Sequence, residues 1–137
     1  MEAFKILLVD DDPDDASIIA DVVKDLRSDV HLVFADNGEI AVEMLNENPE
    51  LQSGVSLIVL DLNMPKMNGT QTLMSLKNDP RFNTIPVVIY STSINDLEKE
   101  RCLSLGAHSY ITKPLSYKES LDTVSFFIEL CKARSIA

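Results

Sequence analysis

The run Leu57-Ile58-Val59-Leu60 has no alternation of apolar and polar residues, and it ends in the carboxylate of Asp61. A strand of that pattern is buried on both faces, as the inner strands of a helix-covered parallel sheet are. This narrows the chain to an α/β architecture. It also marks the strand end as the place to look for chemistry, because open α/β sheets gather ligand groups beyond the carboxyl ends of their strands. A second run, Lys5-Ile6-Leu7-Leu8-Val9, ends in the same manner in Asp10, Asp11 and Asp12. Two strands therefore deliver carboxylates to one sheet edge.

Strand and helix signals alternate five times. Lys5 to Val9 is the first strand; Asp12 can cap the next helix, with Pro13 at its first position and Asp14 and Asp15 in a first turn that favours negative charge. Ile18, Ile19, Val22, Val23 and Leu26 form its apolar stripe. Val30 to Phe34 is the second strand, followed by a helix carrying Ile40, Met44 and Leu45 that Asp36 and Glu39 can cap and Asn48-Pro49 closes. After Asp61 a loop through Pro65 and Gly69 leads to a helix near Thr70 to Lys77, and Val87 to Tyr90 is the fourth strand. A helix near Asp96 to Leu105 stops at Gly106, which suits a left-handed cap, and Ser109 to Thr112 is the last strand. Ser116 and Glu119 have capping-box spacing, and Leu121, Val124, Ile128 and Cys131 give the final helix one buried stripe. Phe126 falls nearly opposite that stripe, so it is expected at the surface. Five βα units give a flavodoxin-like, three-layer α/β sandwich with a parallel five-stranded sheet in the order 2-1-3-4-5. The switch point of that order lies between the two strands bearing the carboxylates.

At 137 residues, the expectation is a single domain over 1–137 with no separate effector domain. The 12 Lys and Arg against 22 Asp and Glu leave a formal charge of -10, which disfavours nucleic acid and anionic membranes as partners. Cys102 and Cys131 lack a His or Cys cluster and are read as reduced, packed residues. No signal peptide or membrane-length apolar run is visible, so a cytoplasmic location is expected.

Asp10, Asp11 and Asp61 place like charges in one small site, which is costly unless a cation sits there. Carboxylate oxygens without His or Cys suit Mg²⁺ or Mn²⁺. Asp12, Asp14 and Asp15 read as solvated helix-start acids. The remaining strand ends carry Ser91-Thr92-Ser93 and Lys113-Pro114. A hydroxyl and an ammonium facing the acids are what a phosphoryl group on Asp61 would need, a donor and a counter-charge.

The motifs Ile6-Leu7-Leu8-Val9-Asp10-Asp11, Leu60-Asp61-Leu62-Asn63-Met64-Pro65-Lys66-Met67-Asn68-Gly69, Ser91-Thr92-Ser93, and Gly106-Ala107 leading to Tyr110-Ile111-Thr112-Lys113-Pro114 resemble a bacterial response-regulator receiver domain. The resemblance covers nearly the whole chain. It implies that Asp61 is the phospho-acceptor and that Mg²⁺ is bound by Asp11, Asp61 and the backbone carbonyl of Asn63, with Asp10 in the outer shell. It further implies that Ser91 and Lys113 hold phosphoryl oxygens and that Tyr110 is the aromatic whose rotamer follows the switch. Such a domain is a signalling module, not an enzyme acting on other substrates, and it catalyses its own phosphorylation and dephosphorylation. Its partners would be a sensor histidine kinase and a histidine phosphotransfer protein. The Ser-Thr-Ser run and the segment Asn46 to Ser56 look most like stand-alone receivers paired with phytochrome-type and hybrid kinases. The output surface would lie around the 96–105 helix, the last strand and the final helix, and a homodimer through it is expected to include Phe126. The resemblance, with the need to aim the ammonium inward, also suggests a cis Lys113-Pro114 bond.

A haloacid-dehalogenase-type phosphohydrolase also uses a strand-end Asp, a hydroxyl and a Lys, but it places a second Asp two residues after the nucleophile as general acid. Asn63 cannot serve that role. A flavodoxin-like binding module would need a first loop rich in Gly, Ser and Thr to cradle phosphate, and this loop is Asp-Asp-Asp-Pro-Asp-Asp.

Overall fold

The computed structural model describes residues 4–26, 29–62, 64, 68–93 and 95–136, with side chains as far as Arg134. Strands β1 (Phe4–Val9), β2 (Val30–Ala35), β3 (Val55–Leu60), β4 (Val87–Ser91) and β5 (Ser109–Thr112) form one sheet in the order β2-β1-β3-β4-β5, with every pair parallel. The helices are α1 (Pro13–Leu26), α2 (Gly38–Glu47), α3 (Pro49–Gly54), α4 (Gly69–Lys77), α5 (Asp96–Ser104) and α6 (Tyr117–Ile136). The expected topology is the observed one.

The uninterrupted apolar strands are buried on both faces for a visible reason. Ile6, Leu8, Leu57 and Val59 point into a core formed with Ile19, Val22 and Val23 of α1 and Val124, Phe127, Ile128 and Cys131 of α6. Leu7, Val9, Ile58 and Leu60 point the other way, into a core with Leu45, Leu51, Leu73, Leu76 and Cys102 from α2, α3, α4 and α5. Alternate residues of one strand thus serve two separate cores, so neither face has room for a polar position. Both cysteines are free and buried.

Several local expectations are corrected. The α2 cap is Asn37, not Asp36 with Glu39: Asn37, in extended backbone, accepts a hydrogen bond from the Ile40 amide at 2.9 Å, being one residue nearer the first turn. Asn48-Pro49 ends α2 but at once starts α3, with Pro at the position where a missing N–H costs nothing. Asn68 and Gln71 form a reciprocal capping box for α4. At α6, Ser116 accepts from the Glu119 amide, while the Glu119 carboxylate turns to the Leu115 amide, one residue earlier than the box predicts. Ile18 and Leu26 of the α1 stripe are partly exposed. Gly106 does take a left-handed conformation, φ 107°.

Phe126 is not a free surface aromatic. It is half-buried against the α1/α6 core, with its ring 6.4 Å from His108 and 6.5 Å from Phe127. A helical-wheel argument treats the sheet as a flat partner, whereas the ring of His108, just before β5, stands beside Phe126 on the side of α6. The Lys113-Pro114 bond is trans, since no cis peptide bond occurs among the described residues. Lys113 reaches inward without one.

Candidate functional site

Strand register builds the site. Val9 lies opposite Leu60 across the β1–β3 pair, so the next residue of each chain segment, Asp10 and Asp61, emerges side by side beyond the sheet edge. The Asp61 amide donates to the Val9 carbonyl at 2.9 Å and the Asp10 amide to the Ala35 carbonyl at 3.1 Å, extending the ladder one residue past the strands. Both residues are buried, at 6% and 5% exposure, while Asp11 is exposed. Gly69 lets α4 close against this edge. A Cβ there would lie 2.4 Å from the Asp61 carbonyl oxygen and 2.5 Å from Leu62 Cα, closer than any side chain can stand.

Lys113 reaches the same point from β5. Its backbone amide donates to the Ser91 carbonyl at 2.8 Å, which fixes the stem, and its Nζ lies 3.0 Å from Asp10 Oδ2, 2.7 Å from Asp15 Oδ2 and 3.7 Å from Asp61 Oδ2. Burial pulls the ammonium pKa down, but hydrogen bonds to Asp15 and Asp10 outweigh it and leave the group held above its ordinary value. Burial pushes the Asp10 carboxyl up, against the lowering effects of the Asp12 amide at 2.9 Å and of Lys113. Asp15 is not simply a solvated helix-start acid: it is the nearest partner of Lys113. The sequence signal was available in the α1 first turn itself, but nothing in it says which way that turn faces.

Ser91 ends β4 with its side chain fully buried, and its Oγ accepts from the Ser93 amide at 3.1 Å. Tyr110 is half-buried. Its hydroxyl is shared between Glu98 Oε1 at 2.7 Å and the Ser93 carbonyl at 3.1 Å, so the ring is tied to both the β4–α5 loop and α5. Burial, then the Glu98 contact, raises its phenol pKa.

Asp10, Asp11 and Asp61 each bring a carboxylate oxygen within 4.8 Å of the others. Opposite ligands of an octahedral Mg²⁺ stand about 4.2 Å apart, so this oxygen-only set fits a hard divalent cation with at most a small closure or a bridging water. Asn63 and Pro65 lie outside the described residues. The structure brings together Asp10, Asp11, Asp61 and Lys113, and it places Ser91 and Tyr110 on the adjoining strands.

The response regulator receiver domain family matches residues 6–125. Response regulator Rcp1 of Synechocystis sp. is 32% identical over 130 residues, covering 90% of this chain and 88% of Rcp1. The two-component response regulator ORR11 of Oryza sativa is 36% identical over 110 residues, 80% of this chain and 71% of ORR11. Among solved structures, the phosphorylated cyanobacterial phytochrome response regulator RcpA has a TM-score of 0.82 at 32% identity, covering 93% of this chain and 92% of that one. The Mn²⁺-bound form of Rcp1 has a TM-score of 0.79 at 31% identity, covering 90% of this chain and 91% of that one.

Proposed function

Because the chain belongs to the response-regulator receiver family, we propose that Asp61 accepts a phosphoryl group from a phosphohistidine on a sensor histidine kinase or a phosphotransfer protein. The observation that carries this reading is the Lys113 ammonium 3.7 Å from Asp61 Oδ2, at an edge crowded with acids. An Asp61 oxygen attacks phosphorus in line with the departing imidazole; the O–P bond forms as the N–P bond breaks, and the histidine leaves as imidazole. Lys113 supplies positive charge to the phosphoryl oxygens and Ser91 a hydroxyl donor. Mg²⁺ or Mn²⁺ would be held by Asp11, Asp61 and the Asn63 carbonyl, with Asp10 through water, and it supplies neutralisation of the transferring oxygens. Hydrolysis of the acyl phosphate in the same site resets the protein.

The output in this reading runs through Ser91 and Tyr110. When the Ser91 hydroxyl turns from the Ser93 amide toward a phosphoryl oxygen, the loop that also holds Tyr110 shifts, and α5, β5 and the start of α6 present a changed face. That face acts on a separate protein, and self-association belongs to it too. Similarity to the cyanobacterial phytochrome response regulator RcpA supports a phytochrome-type kinase as the input. Among the described residues no helix is long and apolar enough to cross a membrane, and a cytoplasmic receiver is the reading that fits a soluble kinase core as donor.

The test is Asp61→Asn. A cognate kinase or acetyl phosphate should put hydroxylamine-sensitive label on the parent and none on the variant, because an amide is a poor nucleophile. Persistent label of that kind would refute the assignment.

A further inference from the structure

We propose that Asp15 competes with the phosphoryl group for Lys113 and so limits how fully, and for how long, Asp61 stays phosphorylated. The inference rests on the phospho-acceptor reading of Asp61. An ammonium has three donor hydrogens, and here two are committed: to Asp15 at 2.7 Å and to Asp10 at 3.0 Å. Asp61, at 3.7 Å, is within ion-pair range but beyond hydrogen-bond reach, so the two hydrogen bonds of the resting ammonium go to the neighbouring acids. Phosphorylation of Asp61 adds negative charge and acceptor oxygens that need the same ammonium.

The two acids differ in what it costs them to let go. The Asp10 side chain is 1% exposed and also accepts from the Asp12 amide, so withdrawing Lys113 would strand a buried charge. The Asp15 side chain is 30% exposed, and it stands in the first turn of α1, where the helix dipole favours a carboxylate without any partner. Asp15 can rotate into water at little cost. It is therefore the contact that yields when the phosphoryl group arrives, and the contact that re-forms to pull Lys113 back. With two hydrogens committed, Lys113 gives more than one bond to the phosphoryl group at the expense of its shortest ion pair.

Beryllium fluoride in saturating Mg²⁺ serves as the probe, a tetrahedral mimic of an acyl phosphate. Its affinity is measured for the parent, Asp15→Asn and Asp15→Ala, alongside the decay rate of acetyl-phosphate-derived label and the affinity for Mg²⁺ alone. Competition predicts that Asn, which keeps the shape but not the charge, binds beryllium fluoride about three- to tenfold more tightly than the parent. Ala should bind at least as tightly as Asn, and label should decay more slowly in both. Affinity for Mg²⁺ alone should fall in both, since one negative charge is lost. A role in holding Lys113 inward predicts the opposite pattern, with weaker beryllium fluoride binding in Ala and rescue in Asn; that result, or equal affinity in all three proteins, overturns the proposal. A parent that binds no beryllium fluoride would instead fail the phospho-acceptor reading on which it stands.

Discussion

Asp10 shows at the scale of one residue what burying a carboxylate costs the site. Its carboxyl is pushed above the usual range mainly by burial, so in the folded protein it holds its proton more tightly than in the unfolded chain. The sign follows: its contribution to stability is full below the ordinary value of 3.8 and is lost as pH rises through the folded value. Once ionised, the buried Asp10 carboxylate therefore opposes folding, and a cation beside it offsets that cost. Mg²⁺ at ten times its dissociation constant should stabilise the parent by about 1.4 kcal/mol. Asp11→Ala should be at least as stable as the parent in the absence of metal and should gain nothing from Mg²⁺, as read from thermal melts with and without the ion. A variant that melts lower without metal, yet still rises with it, would show the cation site to be elsewhere.

At the scale of the element, position is set by where helices begin. Asn37, Asn68 and Asn95 each cap a helix by accepting a first-turn amide, and Asn68 does so one residue before the glycine that touches the Asp61 backbone. The start of α4 and the end of β3 are thereby locked together: the Gly69 amide donates to the Leu62 carbonyl at 3.1 Å. Gly69→Ala forces a methyl group into backbone atoms that cannot swing aside. It should cost about 1–3 kcal/mol in denaturant unfolding and slow acetyl-phosphate labelling of Asp61, because the displaced atoms include the acceptor's own carbonyl. Full stability with unchanged labelling would mean that α4 can back away from the strand.

The whole molecule is two cores separated by one sheet, and Tyr90 joins the core under α1 and α6 to the site. Its ring packs edge-on against Phe127 of α6 at 5.9 Å, and the Lys113 ammonium lies 5.6 Å from its centroid. Burial pushes its phenol up to about 12, and Lys113 is also held above its ordinary value. Both groups bind their protons more tightly when folded. The Tyr90 contribution is therefore complete below pH 10, the ordinary value for tyrosine, and is lost as pH rises through about 12, while that of Lys113 persists beyond this window. The Tyr90 share is about 2–3 kcal/mol over that window. Melting temperature should drop steeply above pH 10 in the parent and less steeply in Tyr90→Phe; parallel curves would remove Tyr90 from the account.

The apolar strands ending in Asp10 and Asp61, the serine and lysine ending the last two, and the strand order were legible in the sequence because burial pattern and strand-end chemistry are local properties of contiguous residues. The trans Lys113-Pro114 bond, the half-buried Phe126 and the bond between Asp15 and Lys113 were not. Asp15 and Lys113 are far apart along the chain and meet only because α1 and β5 open onto the same edge of the sheet. A carboxylate in a helix first turn is stable whether it faces water or an ammonium, so its local context reads the same in either case. The sequence by itself determined which groups reach the sheet edge, because each is fixed by its own strand. Only the tertiary structure decided which acid holds the cation, because that depends on distances between segments that no local pattern encodes.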